Sequence, residues 1–210
     1  MEFLPSFPTL IAFAAATLLL AATPGPDMTL SISRALAQGK KAALFVVLGT
    51  SLGIVVHTML VAFGISALIT ASPTAFLILK TGGAAYLFWL AVQAIRYGSK
   101  LTVAKVEGPR GTILSNISSG FWVNLLNPKA IVFFLAFTPQ FIRPEQPLFT
   151  QYAVLTATIV VIDILVMWFF FAAAARSFQR FTSTERGQLV LSRVFGGLFV
   201  GVGILLALIH

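Results

Sequence analysis

Long apolar runs, parted by short polar breaks, dominate the chain. Six can be read, at roughly Phe7–Thr23, Ala42–Ile69, Thr74–Ile95, Ile113–Thr138, Tyr152–Ala175 and Leu191–Ile209. Each has at least the ~17 residues a helix needs to cross a hydrocarbon core of ~30 Å. No water reaches the backbone at that depth, so a spanning segment must satisfy its own N–H and C=O groups, and all six are predicted to be helical. The expected fold is an all-α membrane protein of six transmembrane helices. Composition agrees: 58% of the 210 residues are hydrophobic and only 10% charged, where a soluble domain carries about 25%. Leu20-Ala21-Ala22 has the small-residue look of a signal-peptide cleavage site. The basic n-region of a signal peptide is missing, with Glu2 the one early charge, so the first run is read as a retained span.

Charge sorts by loop. Arg34, Lys40 and Lys41 fall in the first loop, Arg96, Lys100, Lys105 and Arg110 in the third, and Arg176, Arg180, Arg186 and Arg193 in the fifth. The second loop has no basic residue and the fourth has Arg143 alone. Basic loops stay on the cytoplasmic side, which puts both termini in the periplasm. The net charge of +8 is thereby a topology signal, and nucleic acid is not an expected partner; the lipid bilayer is. The absence of cysteine excludes disulfides, thiolate metal sites and iron–sulfur clusters. With two histidines as well, ligands for a transported metal are scarce, and neither a metal site nor a cofactor is expected.

Sliding the sequence by 104 residues lays the first span on the fourth and the second on the fifth, with Thr23-Pro24 falling on Asn127-Pro128. A ten-residue loop insertion then brings Gly82-Gly83 onto Gly196-Gly197. Residues 1–104, with a cytoplasmic loop at 31–41, would form one three-helix repeat and 105–210 the other. Three helices per half is an odd number, so the halves lie upside down to each other, an architecture that recurs in transporters with a site between the halves. Chance alignment of apolar segments is the competing explanation.

The repeat matters because polar groups interrupt the spans at matching places. Pro24-Gly25-Pro26-Asp27 breaks the first stretch and Asn127-Pro128-Lys129 the fourth. A small or polar residue before Pro is a helix-start signature, with Thr23 or Asn127 as N-cap and Pro24 or Pro128 in the first turn. Both spans are predicted to be broken helices, whose unpaired N–H groups and dipole attract an anion such as a carboxylate. A plain proline kink is the alternative. Pro24, Gly25, Asp27, Asn124, Asn127, Pro128 and Lys129 are therefore the candidate substrate-binding residues.

His57 and Asp163 lie mid-span, and the 104-residue offset carries His57 to within half a turn of Asp163. An Asp at the bilayer centre costs about 2.5–3.5 kcal/mol on an insertion scale, so it is seldom left facing lipid. Gly49, Gly53 and His57 share one helix face that permits close packing. A His57–Asp163 pair is expected across the repeat interface, either as a proton relay or as a hydrogen-bonded glue. Lys80, nearer a helix end, reads as a snorkelling side chain, and Trp89, Trp122 and Trp168 as packing or interfacial anchors. Gly49-Thr50-Ser51-Leu52-Gly53 matches G-x-S-x-G, but the hydrolase motif needs a strand-to-helix turn and this one lies inside a membrane helix. No catalytic residue, and no enzyme, is predicted.

At these residues the chain resembles the LysE/RhtB amino-acid exporter family, most closely its homoserine and threonine branch. The resemblance runs nearly end to end. It includes Thr23-Pro24-Gly25, Leu79-Lys80, Gly83-Ala84-Ala85-Tyr86-Leu87, Phe121-Trp122-Val123-Asn124, Asn127-Pro128-Lys129, Pro139-Gln140-Phe141, Val161-Ile162-Asp163-Ile164-Leu165-Val166-Met167 and Phe195-Gly196-Gly197-Leu198-Phe199. Exporters of basic and branched-chain amino acids share much of this pattern, and Asp27 is a departure that bears on substrate charge. The resemblance implies a bacterial inner-membrane protein that expels small amino acids, such as homoserine, its lactone or threonine, against proton influx. His57 and Asp163 would couple the proton. A passive channel or scaffold is the rival. Gly-rich helices can pack within one chain or between two, which leaves a homodimer open.

Overall fold

The structure is a computed structural model; it describes residues 7–72 except Pro24, scattered positions between 74 and 96, and residues 111–209. Pro24, Leu79, Lys80, Gly83, Tyr86, the basic residues Lys100, Lys105 and Arg110, and most of the expected third span lie outside the described residues.

Every described element is helical. α1 (Phe7–Ala22) ends where Thr23 turns its hydroxyl back onto the Leu19 carbonyl at 2.6 Å. α2 (Pro26–Gln38) starts again with its axis bent by 57° from α1. The expected cap at this break shifts by two residues: extended Gly25, and not Thr23, precedes the helix, with Pro26 at its first turn. Thr23 cannot serve because its hydroxyl already closes α1. The stretch 31–41, expected as a cytoplasmic loop, is also corrected. It is helical up to Gln38, turns at Gly39 with φ +90°, and resumes at Lys40. Met28 and Ile32, one turn apart, are fully buried there with Ser31, and this apolar stripe holds α2 against the bundle.

α3 (Lys40–Ala71) lies along α4 (Ile113–Leu125), the most extensive helix contact among the described residues. Two glycines make the crossing close. A Cβ on Gly49 would fall 2.0 Å from the Ile117 carbonyl oxygen, and one on Gly120 would fall 2.0 Å from that of Val46. This is small-residue packing, where backbones meet without side chains between them. Thr112 opens α4 by accepting from the Ser115 N–H at 3.2 Å. After Leu125 the chain breaks again and α5 (Pro128–Val132) sets off, running on as a π turn over Phe133–Phe137 and a 3₁₀ turn over Thr138–Phe141. That second bent pair turns by 55°.

α6 (Leu148–Ile164) continues as a π-helical stretch, Leu165–Ala172, which begins two residues after Asp163. Amphipathic α7 (Ala175–Thr182) occupies part of the expected fifth loop, and α8 (Glu185–Ile209) starts earlier than expected because Thr184 caps the Gly187 N–H at 3.1 Å. Among the described residues, two helical stretches are long and apolar enough to cross a membrane, Lys40–Gly64 and Leu148–Ala172, and each bent pair qualifies when taken as one span. Two apolar clusters fill the interior. One gathers Phe13, Phe133, Phe137 and Phe141, with ring centroids 4.6–5.9 Å apart, around Ile54, Leu155 and Ile159. The other packs Met28, Ile32, Val47, Met167 and Phe171.

Candidate functional site

Breaking a helix inside an apolar bundle exposes carbonyls at the end of the first half and N–H groups at the start of the second. Here the two breaks face each other and each is answered by a residue from the other. Lys129, in the first turn of α5, donates its ammonium to the Leu20 and Thr23 carbonyls at 2.9 and 2.7 Å, capping the end of α1. Asp27, in the first turn of α2, accepts from the Asn124 amide at 2.8 Å and the Asn127 amide at 3.2 Å. Asn127 performs two tasks at once, because its Oδ1 also takes the Lys129 N–H at 3.0 Å and so caps α5. Gly25 leaves the room for this exchange: a Cβ there would lie 3.3 Å from the Lys129 ammonium.

A cavity opens at this junction, between the two apolar clusters, and Asp27, Asn124, Asn127, Lys129 and Asp163 all line it. Two of the residues around it carry buried oxygens without a hydrogen-bond partner, Thr17 Oγ1 and Asn124 Oδ1. An anion and a cation held apart by a few side chains, with spare acceptors beside them, is a surface complementary to a zwitterion. The opposite charges also limit the cost of burying either one.

Six of the seven expected binding residues are thus described, and the structure brings them together: Gly25, Asp27, Asn124, Asn127, Pro128 and Lys129. Pro24 is the exception. The expected His57–Asp163 pair is different. His57 Nε2 lies 3.3 Å from the Asn124 carbonyl oxygen, so that nitrogen carries the hydrogen, and its ring stacks on Phe134 with centroids 5.1 Å apart. Asp163 instead accepts from Thr50 at 3.2 Å. The reason is register along α3: Thr50 lies two turns before His57 on the same face, and it is Thr50 that comes level with Asp163. Asp163 still faces the cavity, where Asp27 and Lys129 act on it electrostatically. Thr17 and Thr50 escaped the sequence reading. A hydroxyl two turns before His57 on the same helix face was the available signal for Thr50; Thr17 carried none.

Two broken helices whose ends meet around a charged cavity are the way membrane transporters of the inverted-repeat type build a binding site. The comparison with known proteins specifies the class further. The LysE type translocator profile matches residues 18–209, and the chain belongs to that family. A homoserine/homoserine lactone efflux protein of Salmonella typhimurium is 35% identical over 199 residues, covering 93% of this chain and 94% of its own length. A membrane protein of Vibrio cholerae is 35% identical over 197 residues, covering 94% and 95%. A leucine efflux protein of an Enterobacter species is 29% identical over 192 residues, covering 89% of each. No solved structure matches the chain. Two of these relatives are named as efflux proteins, and as a member of the family this chain is a membrane translocator and not an enzyme.

Proposed function

We propose that the protein exports small amino acids, homoserine, homoserine lactone or threonine foremost, across the bacterial inner membrane in exchange for protons. The observation that carries the reading is the cavity at the paired helix breaks, with Asp27 on one wall and Lys129 on the other. The substrate ammonium takes Asp27 and the spare oxygen of Asn124. The carboxylate of homoserine or threonine, or the ring carbonyl of the lactone, takes Lys129, drawing it away from the Leu20 and Thr23 carbonyls, and the freed amides of Asn124 and Asn127. Binding therefore exchanges internal bonds for substrate bonds with little change in the number of unpaired groups, which suits a site that must also release. The names of the Salmonella relatives support homoserine and its lactone as substrates.

Residues 1–104 and 105–210 act as inverted halves, both termini are periplasmic, and alternating access comes from rocking one half on the other. The closely similar bends of 57° and 55° support this symmetry. Asp163 carries the proton, and His57, held at the Asn124 carbonyl beside the second helix break, is the other coupling residue. The test is counterflow of labelled homoserine, threonine, leucine and lysine into proteoliposomes with and without an imposed pH gradient. Accumulation of homoserine or threonine that collapses with the gradient is expected. Flux that never exceeds equilibration would make the protein a passive channel, and preference for lysine or leucine would reassign the substrate.

A further inference from the structure

Asp163 is buried with one side-chain partner, and that partner has a peculiarity. Thr50 Oγ1 lies 3.2 Å from Asp163 Oδ2 and 2.8 Å from the Val47 carbonyl oxygen. A hydroxyl has one hydrogen to give and two lone pairs to receive with. A carbonyl only accepts, and an ionised carboxylate only accepts too. With Asp163 ionised, the two acceptors compete for one hydrogen. With Asp163 protonated, the bonds run as a chain from the carboxyl O–H to Thr50 Oγ1 and from Thr50 to Val47, and nothing competes.

We propose that Thr50 is a positioning residue for proton coupling, its single hydroxyl hydrogen turning from Val47 to Asp163 whenever the carboxyl group loses its proton. This rests on the reading of Asp163 as the proton carrier. A second hydroxyl supports it: Ser51 Oγ also donates to the Val47 carbonyl, at 2.9 Å, so that carbonyl keeps a side-chain donor when Thr50 turns away. The G-x-S-x-G match that has no hydrolase context thereby acquires a use, for it places two adjacent hydroxyls on one carbonyl. Its first glycine is Gly49, at the tight crossing of α3 on α4, so the change in bonding occurs where the helices meet most closely. The step is proton transfer alone: a hydronium ion reaching the cavity breaks one of its O–H bonds and leaves as water, an O–H bond forms on a carboxylate oxygen of Asp163, and the Thr50 hydroxyl rotates. The charged groups acting on Asp163 are Asp27 of α2 and Lys129 of α5. α1 has no titratable side chain, and His57 of α3 is held at the Asn124 carbonyl.

Thr50→Val keeps the branched shape and removes the hydroxyl. A bond to an ionised group is worth more than one to a neutral group, so its loss weakens the ionised form more. The midpoint of the pH profile of proton-driven homoserine uptake in proteoliposomes should move up by about one pH unit. Thr50→Ser should keep the midpoint of the unaltered protein. Should the Val variant fail to reconstitute, Thr50→Ala carries the same expectation. If Asp163→Asn abolishes accumulation while the Val or Ala profile superimposes on the unaltered one, Thr50 is a packing residue and the proposal falls alone. If Asp163→Asn accumulates substrate normally, the underlying assignment of the proton to Asp163 falls first.

Discussion

Removing the Lys129 ammonium while keeping its apolar stem, as Lys129→Met does, tests the central junction most directly. Two bonds are lost, those to the Leu20 and Thr23 carbonyls at 2.9 and 2.7 Å. Side-chain hydrogen bonds within membrane proteins average about 0.6 kcal/mol and reach about 1.7 kcal/mol, so the pair is worth about 1–3 kcal/mol. The variant also leaves Asp27 charged with no cation in the cavity, and deleting one partner of a buried pair costs about 3–5 kcal/mol in soluble proteins. The expected loss is about 3 kcal/mol, read as destabilisation in reversible denaturant unfolding in micelles, together with loss of transport. Asp27→Asn alone should cost about 1 kcal/mol, because the new amide group cannot accept from both Asn124 and Asn127. The double variant has neither charge and should be less destabilised than the two single losses summed, by at least about 1 kcal/mol. Additivity within about 0.5 kcal/mol would refute the reasoning, since it would mean the two charges do not act on one another.

Asn127→Ala removes both the cap of α5 and one donor to Asp27, and should weaken homoserine counterflow at least tenfold while the protein still reaches the membrane; normal transport would reduce the break to a kink. Asp163→Asn should abolish accumulation driven by a pH gradient yet leave substrate exchange intact, because the amide keeps the shape but carries no titrating proton; accumulation like that of the unaltered protein would move coupling to Asp27. Gly120→Ala places a Cβ 2.0 Å from the Val46 carbonyl oxygen and should lower thermal stability sharply, whereas Gly64→Ala, with nothing within 4 Å, should be neutral or slightly stabilising. Because the chain has no cysteine, Lys105→Cys offers a clean topology probe: it should react with an impermeant maleimide only in inside-out vesicles, and labelling from the periplasm would reverse the orientation.

Much of the site could be read along the chain because a membrane makes local composition decisive. An apolar run of sufficient length has no alternative to helix, so Phe7–Ala22, Lys40–Ala71 and Leu148–Ile164 follow from hydropathy. A proline after Asn127 inside such a run must interrupt the ladder, which made the break and the candidacy of Asn127 and Lys129 legible. The small-residue face of α3 was legible for the same reason, since Gly49 and Gly53 recur at the helical period. What a side chain touches across the bundle is a matter of register and crossing angle, and no local pattern contains either. The offset of the repeat brought His57 near Asp163 on paper, yet the rotation and rise of α3 against α6 put Thr50 at the carboxylate and His57 at the Asn124 carbonyl. Likewise, Lys129 as the cap of α1, and Asp27 as the acceptor for two asparagines, required the two breaks to lie face to face. Helix and break are fixed by neighbours in sequence, through the unmet hydrogen bonds of the backbone; the partners are fixed by which faces pack, and that is decided only when the helices assemble.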